Sequence, residues 1–231
     1  MSKDYKIGIL WGIGPEASAS FVYDLIKKIK ASGSIDSNKD FPRILLNSIN
    51  ANEIFGVDDT NIVLYEEWLR ELNQYQPNVV CMICNTIHLF YEHLSSALDK
   101  SVEFVYLPSI VEEYLTTQTQ KICVLGTQNT IINGLYYFDS LENIYLEKDV
   151  QNTINMAIFK FNNGEDFSHE KHIIEEAIED VLIHHSDIKF VMWCTEIRDI
   201  IKQEHGGYFI DTMALLLDYI FDRYMSSRVN F

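Results

Sequence analysis

Two cysteines that lie 110 residues apart each follow a short apolar run and precede polar side chains. They are Cys84, after residues 79–83, and Cys194, after residues 190–193. The polar residues behind them are Asn85, Thr86, Thr195 and Glu196. If each run is a strand, each thiol stands at its carboxyl end, where the N–H groups of a following helix favour a carboxylate and lower a thiol's pKa. Two such arrangements in one chain indicate reactive rather than structural cysteines.

The spacing of Cys81 and Cys84 also fits a redox pair or a metal site. A zinc site would need a second pair at similar spacing, and Cys123 and Cys194 each stand alone. The two-residue period of a strand places Cys81 and Cys84 on opposite faces, which disfavours a disulfide between them. We therefore assign Cys81 to the core.

The rest of the chain alternates short apolar runs with longer amphipathic segments, which predicts βα units and parallel strands. Strands are predicted at residues 7–11, 44–49, 79–83, 102–106, 122–125 and 190–193. Helices are predicted near residues 17–31, 60–75, 88–98, 109–118, 130–139, 150–163, 169–184 and 211–225. We expect an α/β fold of two pseudo-symmetric lobes, each a mostly parallel sheet flanked by helices. The active site would lie in the cleft between the lobes, beyond the carboxyl ends of the strands.

The two halves of the chain share a plan, which sets the predicted domain limits. Each half has a strand that ends in a glycine turn, at Gly12 and at Gly126, and later a strand that ends in a cysteine. The N-terminal lobe is expected to comprise residues 1–106 and the second lobe residues 107–210. The last predicted helix, within residues 211–231, is expected to pack back on the N-terminal lobe.

Charge and composition exclude several kinds of function. Thirty-four acidic residues against eighteen basic ones give a net charge of −16, which repels the phosphates of nucleic acids. No run of eighteen apolar residues occurs, so no transmembrane helix is predicted. The polar start leads straight into the first strand, which predicts no signal peptide. Four cysteines with mostly apolar neighbours predict no disulfide framework, and we expect a cytoplasmic protein.

Five motifs follow the order in which they occur in aspartate/glutamate racemases, and the chain resembles that family over nearly its whole length. In order they are Ile9 to Ala17 (ILWGIGPEA), Cys84-Asn85-Thr86 with His88, Gly126 to Thr130 (GTQNT), Cys194-Thr195-Glu196, and Asp211-Thr212. The first resembles the family's opening glycine-rich loop, and the third resembles its Gly-Thr-x-x-Thr loop. The second and fourth resemble its two catalytic cysteine motifs.

The resemblance implies racemisation of aspartate, glutamate or a related small amino acid without pyridoxal phosphate or a metal, in a homodimer. One cysteine thiolate removes the α-proton and the other, as a thiol on the opposite face, returns one; Cys84 and Cys194 are these candidates. The site must also stabilise negative charge on the substrate carboxylate. The substrate-binding candidates are Gly12, Ile13, Asn50, Asn85, Thr86, Thr127, Thr130, Thr195 and Glu196. His88 either supports the site or only lines the helix, while Glu196 and Asp211 also fit ordinary helix-start roles.

Departures from the family pattern leave alternatives open. Trp11 and Trp193 occupy positions where the family usually has glycine, and they either border the pocket or face the helical layers. Some members place Arg and Lys in the stretches equivalent to residues 47–53 and 164–168 to hold a distal carboxylate, and neither stretch contains a base here. A hydantoin racemase, a decarboxylase or a cis–trans isomerase of the same superfamily is one alternative. A non-catalytic ligand-binding homologue is another.

Overall fold

The computed structural model describes residues 4–11, 15–49, 59–192, 197, 200–201 and 207–229. The chain divides into two compact units, residues 1–107 with 213–231, and residues 108–212. Each unit contains a four-stranded parallel sheet flanked by helices, so the predicted α/β class is confirmed. None of the helices in these described ranges combines the length and the apolar character needed to cross a bilayer.

In the first unit the strand order is β2-β1-β3-β4, and all three pairings are parallel. Its strands are β1 (Lys6–Trp11), β2 (Arg43–Ser48), β3 (Val79–Met82) and β4 (Glu103–Phe104). Its helices are α1 (Pro15–Ala31), α2 (Asp59–Leu72), the short α3 (Tyr91–Ser95) and, at the end of the chain, α8 (Thr212–Val229). The central strand β3 is fully buried, as an uninterrupted apolar run in a covered parallel sheet predicts.

Helix α2 covers one face of this sheet with an apolar stripe at helical spacing. Ile62, Tyr65, Leu69 and Leu72 recur every three or four residues, and all are buried. The helix approaches β1 closely at Gly8, where a β-carbon would lie 2.6 Å from Cδ2 of Leu72. Glycine at this position therefore permits the packing of the C-terminal end of α2 onto the sheet.

Side-chain hydrogen bonds attach helix α8 to the rest of the first unit. The Arg228 guanidinium donates hydrogen bonds to the carbonyl oxygens of Ser34 and Asp40, at 2.8 and 2.6 Å. Nearer the middle of the helix, the Tyr219 hydroxyl donates to Glu103 at 2.5 Å. These bonds join residues more than a hundred positions apart and hold the last helix against the sheet that the first hundred residues form.

In the second unit the strand order is β6-β5-β7-β8, again with parallel pairings. Its strands are β5 (Lys121–Leu125), β6 (Glu142–Ile144), β7 (Lys189–Met192) and β8 (Phe209–Asp211). Its helices are α4 (Leu107–Thr116), the short α5 (Gln128–Ile132), α6 (Lys148–Asn162) and α7 (Ser168–His184). One face of the sheet packs against α6 and α7 through a core of Cys123, Phe190, Ile154, Ile158 and Ile174.

Three local differences separate the structure from the sequence-based expectations. The predicted helix 88–98 is replaced by a 3₁₀ turn at Thr86–Phe90 followed by the five-residue α3. The predicted helix 130–139 ends at Ile132, because Gly134 takes a left-handed conformation with φ of 60° and turns the chain. Strands β6 and β8 had not been predicted, since each has three residues and lies at a sheet edge without a continuous apolar run.

Candidate active site

Cys84 lies immediately beyond the carboxyl end of β3. The strand ends at Met82, and the Ile83 N–H donates to the Leu10 carbonyl oxygen at 3.3 Å, so the chain stays aligned with β1 up to Ile83. Cys84 is a half-buried thiol packed against the apolar cluster between the sheet and α2, whose members include Met82 and Tyr65. The predicted position at a strand tip is thus the observed one, with the sulfur neither fully buried nor fully exposed.

The residues after Cys84 place polar side chains inside the protein. Asn85 is 4% exposed, Thr86 8% and His88 2%. They form the start of the 3₁₀ turn, in which the His88 N–H donates to the Asn85 carbonyl oxygen at 3.0 Å. Polar groups are costly to bury without partners, so a cluster of this kind beside a thiol is typical of a binding or catalytic site.

His88 is a neutral imidazole in this site. Complete burial lowers its pKa from 6.5 to about 3, since burial disfavours the charged form. The nearby carbonyl oxygen of Met82 acts in the opposite direction, without the geometry of a hydrogen bond. Neither ring nitrogen has a hydrogen-bond partner in the described part of the chain, and the ring meets Tyr106 edge-on at 5.8 Å between centroids. His88 therefore supplies no positive charge to Cys84 near neutral pH.

In the second unit, Thr127 and Thr130 lie together at the carboxyl end of β5. Both are buried, and their hydroxyl oxygens are 3.1 Å apart in a hydrogen bond. The loop that carries them is fixed to α6, because the Gln128 N–H donates to Asn155 at 2.9 Å and the Gln151 amide donates to the Gly126 carbonyl oxygen at 2.7 Å.

Thr130 also lines an open depression in the surface. Its other walls include Tyr136, Tyr137, Asn143 and Tyr145. The walls follow or border the carboxyl ends of β5 and β6, the edge at which open α/β sheets bind ligands.

Seven residues singled out in the sequence lie outside the described part of the chain. They are Gly12, Ile13, Asn50, Trp193, Cys194, Thr195 and Glu196. The strand that leads to Cys194 is described up to Met192, whose carbonyl oxygen accepts a hydrogen bond from the Thr212 hydroxyl at 3.1 Å. Thr212 is buried, and it had been recognised only as part of the closing motif rather than as a residue that fixes this strand end.

The other two described cysteines belong to the cores. Cys81 and Cys123 are fully buried, and burial raises the pKa of both thiols, that of Cys123 to about 12. Both therefore remain protonated at neutral pH. Within the described ranges, no group of three or more His, Cys, Asp and Glu side chains is arranged to hold a metal ion.

Trp11 is the last residue of β1, and strand alternation places its side chain on the same face as Ile9, opposite Leu10. Leu10 belongs to the cluster against which Cys84 packs. The Trp11 indole nitrogen is buried and has no hydrogen-bond partner among the described residues. Trp11 therefore lies on the face of the sheet opposite the cluster against which Cys84 packs.

Comparison with known proteins gives relatives that extend over the whole chain. No family model matches the chain. The broad specificity amino-acid racemase RacX of Bacillus subtilis (strain 168) is 21% identical over 228 residues, which cover 95% of this chain and 98% of RacX.

Three solved structures share the architecture. A candidate Asp/Glu racemase from Yersinia pestis matches with a TM-score of 0.81 and 18% identity, over 96% of this chain and 99% of its own. An aspartate racemase homologue from Pyrococcus horikoshii OT3 matches with a TM-score of 0.75 and 21% identity, over 97% and 100%. Glutamate racemase from Francisella tularensis, in complex with D-glutamate, matches with a TM-score of 0.66 and 14% identity, over 97% and 82%. The chain is thus similar to RacX over nearly its whole length, and it has the fold of the aspartate/glutamate racemases, as predicted.

Proposed function

We propose that this protein is an amino-acid racemase that needs no cofactor and transfers the α-proton between two cysteine thiols, Cys84 and Cys194. The observation that carries the proposal is the half-buried Cys84 thiol at the carboxyl end of β3, followed directly by the buried side chains of Asn85 and Thr86. The relationship to a broad specificity amino-acid racemase over 95% of the chain supports the same activity.

The proposed reaction balances without an external reagent. One cysteine, as the thiolate, takes the proton from the substrate α-carbon and becomes a thiol. The electron pair left on that carbon is delocalised into the substrate carboxylate, and the other cysteine, as a thiol, returns a proton to the opposite face. After turnover the two cysteines have exchanged protonation states. Positioning the carbon between two sulfurs and stabilising the developing charge supply most of the rate.

Side-chain hydrogen-bond donors and backbone N–H groups from the motifs in both halves of the chain hold the substrate. We assign this role to Gly12, Ile13, Asn50, Asn85, Thr86, Thr127, Thr130, Thr195 and Glu196. The hydrogen-bonded pair of Thr127 and Thr130 supports the assignment, because two buried hydroxyls beside a strand end form a preorganised donor site. We further propose a homodimer in the cytoplasm, a compartment that keeps such thiols reduced.

The direct test is racemisation of a panel of L- and D-amino acids, acidic, neutral and aromatic, followed by chiral chromatography. The aromatic walls of the depression beside Thr130 are the reason for including aromatic substrates. Cys84→Ser and Cys194→Ser should each lower racemisation by about 10²–10⁴-fold, the contribution of a positioned acid or base. In deuterated water, each variant should still exchange the α-proton of one enantiomer without inverting it.

Cys81→Ala is the matched control, because Cys81 lies three residues before Cys84 but is buried in the core. Its racemisation rate per folded molecule should equal that of the wild-type protein. Full racemisation by either serine variant would exclude the two-thiol mechanism. The proposed racemase activity would be excluded if the wild-type protein were inactive on the whole panel. It would also be excluded if the protein instead turned over a hydantoin or a decarboxylation substrate.

A further inference from the structure

Basic side chains stand at the amino ends of the strands, the edge of each sheet that faces away from the candidate residues. Four described strands begin with a base, and these bases are Lys6, Arg43, Lys121 and Lys189. Lys6 pairs with Asp4 at 3.8 Å, an acid of the same edge. Lys121 likewise pairs with Asp187 at 3.6 Å. Because β5 rises about 13 Å from Lys121 to Leu125, such bases lie too far from the carboxyl edge to contact a substrate bound there.

The described segments that follow the carboxyl ends of the strands carry few charges, and those few are mostly negative. Residues 83–90 after β3 and residues 126–137 after β5 contain no Asp, Glu, Lys or Arg. After β6, the exposed Lys148 stands between two exposed acids, Glu147 and Asp149. The local charge of that segment is therefore negative in spite of its lysine.

The connections after β2 and β7 lie largely outside the described part of the chain, but their sequences have the same character. Residues 49–58 contain two acids and no base, and residues 193–199 contain two acids and one base. The acids are Glu53, Asp58, Glu196 and Asp199, and the base is Arg198. The whole chain has a net charge of −16, so the bases near the carboxyl edges are too few to reverse its negative potential there.

The surface depression in the second unit has aromatic and uncharged walls. None of the described residues that line it is charged, and two of them, Tyr137 and Tyr145, are more than half exposed. The side-chain amide of Asn143 donates to the carbonyl oxygens of Phe138 and Leu141, at 3.3 and 3.0 Å, so its N–H groups are already used. Tyrosine rings attract cations to their faces. The walls thus suit a cation and offer no positive charge to an anion.

The depression adjoins residues to which the proposed function assigns substrate binding. Thr130 lines it, and the Thr130 hydroxyl is hydrogen-bonded to that of Thr127. An amino acid whose carboxylate is bound by these two hydroxyls therefore has the depression beside it. Glu147 follows the wall residue Tyr145 by two positions and carries no ion pair with a described residue.

We propose that this depression binds the substrate side chain and selects a cationic one, as in lysine and other diamino monocarboxylic acids. The rings of Tyr137 and Tyr145 contact its methylene stem and ammonium group, and the negative potential beside Glu147 attracts its charge. An acidic side chain is rejected, because it meets no base and the same potential repels it. The inference rests on the proposed function for turnover, whereas the selectivity of binding can be measured without turnover.

Isothermal titration calorimetry of the full chain with four amino acids tests the selectivity. Each is used as the racemate, so that turnover does not change the ligand. Glutamate and glutamine have the same shape and differ in charge, and lysine differs from norleucine by its ammonium group. Glutamine should bind at least about tenfold more tightly than glutamate, and lysine about three- to tenfold more tightly than norleucine. Equal affinities within either pair overturn the proposal.

The same titrations in low and high salt test the electrostatic cause. The distance over which charges act falls from about 30 Å at about 10 mM salt to about 3 Å at about 1 M. Both affinity ratios should therefore decrease in high salt. Ratios that do not change with salt contradict attraction by the negative potential and overturn the proposal.

Two variants of β6 and its flanks locate the effect at the carboxyl edge. Glu147→Gln removes a charge beyond the carboxyl end of this strand, while Glu142→Gln removes an equal charge at its first residue. Both side chains are exposed. Glu147→Gln should lower the preference for lysine over norleucine about two- to fivefold, the contribution of an exposed charge, and Glu142→Gln should leave it unchanged. No change in Glu147→Gln, or an equal change in both variants, overturns the proposal.

Racemisation of the same four amino acids separates this proposal from the function on which it rests. The values of kcat/KM should follow the order of the affinities, with lysine above norleucine and glutamine above glutamate. A protein that binds lysine selectively but racemises no amino acid refutes the proposed function and leaves the selectivity standing. Racemisation that favours glutamate over glutamine refutes the selectivity alone, and binding of none of the four refutes it as well.

Discussion

The buried neutral His88 makes a quantitative prediction for the stability of the first unit in acid. The pKa of this imidazole is about 3 in the folded chain and 6.5 as a model value. The unfolded chain therefore binds a proton below pH 6.5 that the folded chain does not. The stability contributed by the neutral histidine is complete above that pH and is lost progressively as the pH falls towards 3.

The magnitude follows from the difference between the two titrations. At pH 4.5 the unfolded imidazole is two pH units below its midpoint while the folded one is still neutral. At 1.36 kcal/mol per unit, His88 alone lowers the free energy of unfolding by about 3 kcal/mol between pH 7.5 and pH 4.5. His88→Leu removes the titration and keeps an apolar side chain of similar size.

Urea unfolding at several pH values between 4.5 and 7.5 measures this difference. The buried Trp68 lies in the same unit as His88, so tryptophan fluorescence reports its unfolding. The expected result is that the wild-type protein loses about 3 kcal/mol more than His88→Leu over this range, whatever the difference in stability between them at pH 7.5. Parallel curves for wild type and His88→Leu would refute the assignment of a buried, neutral imidazole.

Three further predictions concern the packing that positions the site. Gly8→Ala places a methyl group against Leu72 and should lower the free energy of unfolding by about 1–3 kcal/mol in urea titrations. An unchanged urea midpoint would contradict the close approach of α2 to β1. Arg228→Ala removes hydrogen bonds from α8 to two carbonyl oxygens, so it should lower the free energy of unfolding by about 1–3 kcal/mol and speed amide exchange along α8. Unaltered amide exchange would show that these bonds do not hold the helix. Thr212→Val removes the hydroxyl that donates to the Met192 carbonyl oxygen and should lower the free energy of unfolding by about 1–3 kcal/mol. It should also reduce the racemisation rate per folded molecule, and an unchanged rate would show that the end of β7 needs no such support.

Much of the fold could be predicted from the sequence because the elements concerned are locally determined. Fully buried parallel strands such as β3 are uninterrupted apolar runs, and amphipathic helices such as α2 carry their periodicity in the chain. Edge strands carry no such signature. β6 and β8 pair on one side only and have three residues each, so their pairing depends on neighbours distant in the chain. The short turn at Thr86–Phe90 was missed because its polar start and apolar continuation also fit a regular helix.

For the candidate site, the chain's own order of residues determined which groups are present: a thiol behind an apolar strand, followed by an amide, a hydroxyl and an imidazole. The alternation of strand residues also separated Cys81 from Cys84, as their different burial shows. What these groups can do depends on their surroundings, and only the tertiary structure decided those. Burial makes His88 neutral, and it raises the pKa of the Cys81 thiol while Cys84 stays half-buried. A side chain's charge and its free hydrogen-bonding capacity are set by the removal of water, and distant parts of the chain, once folded together, remove that water.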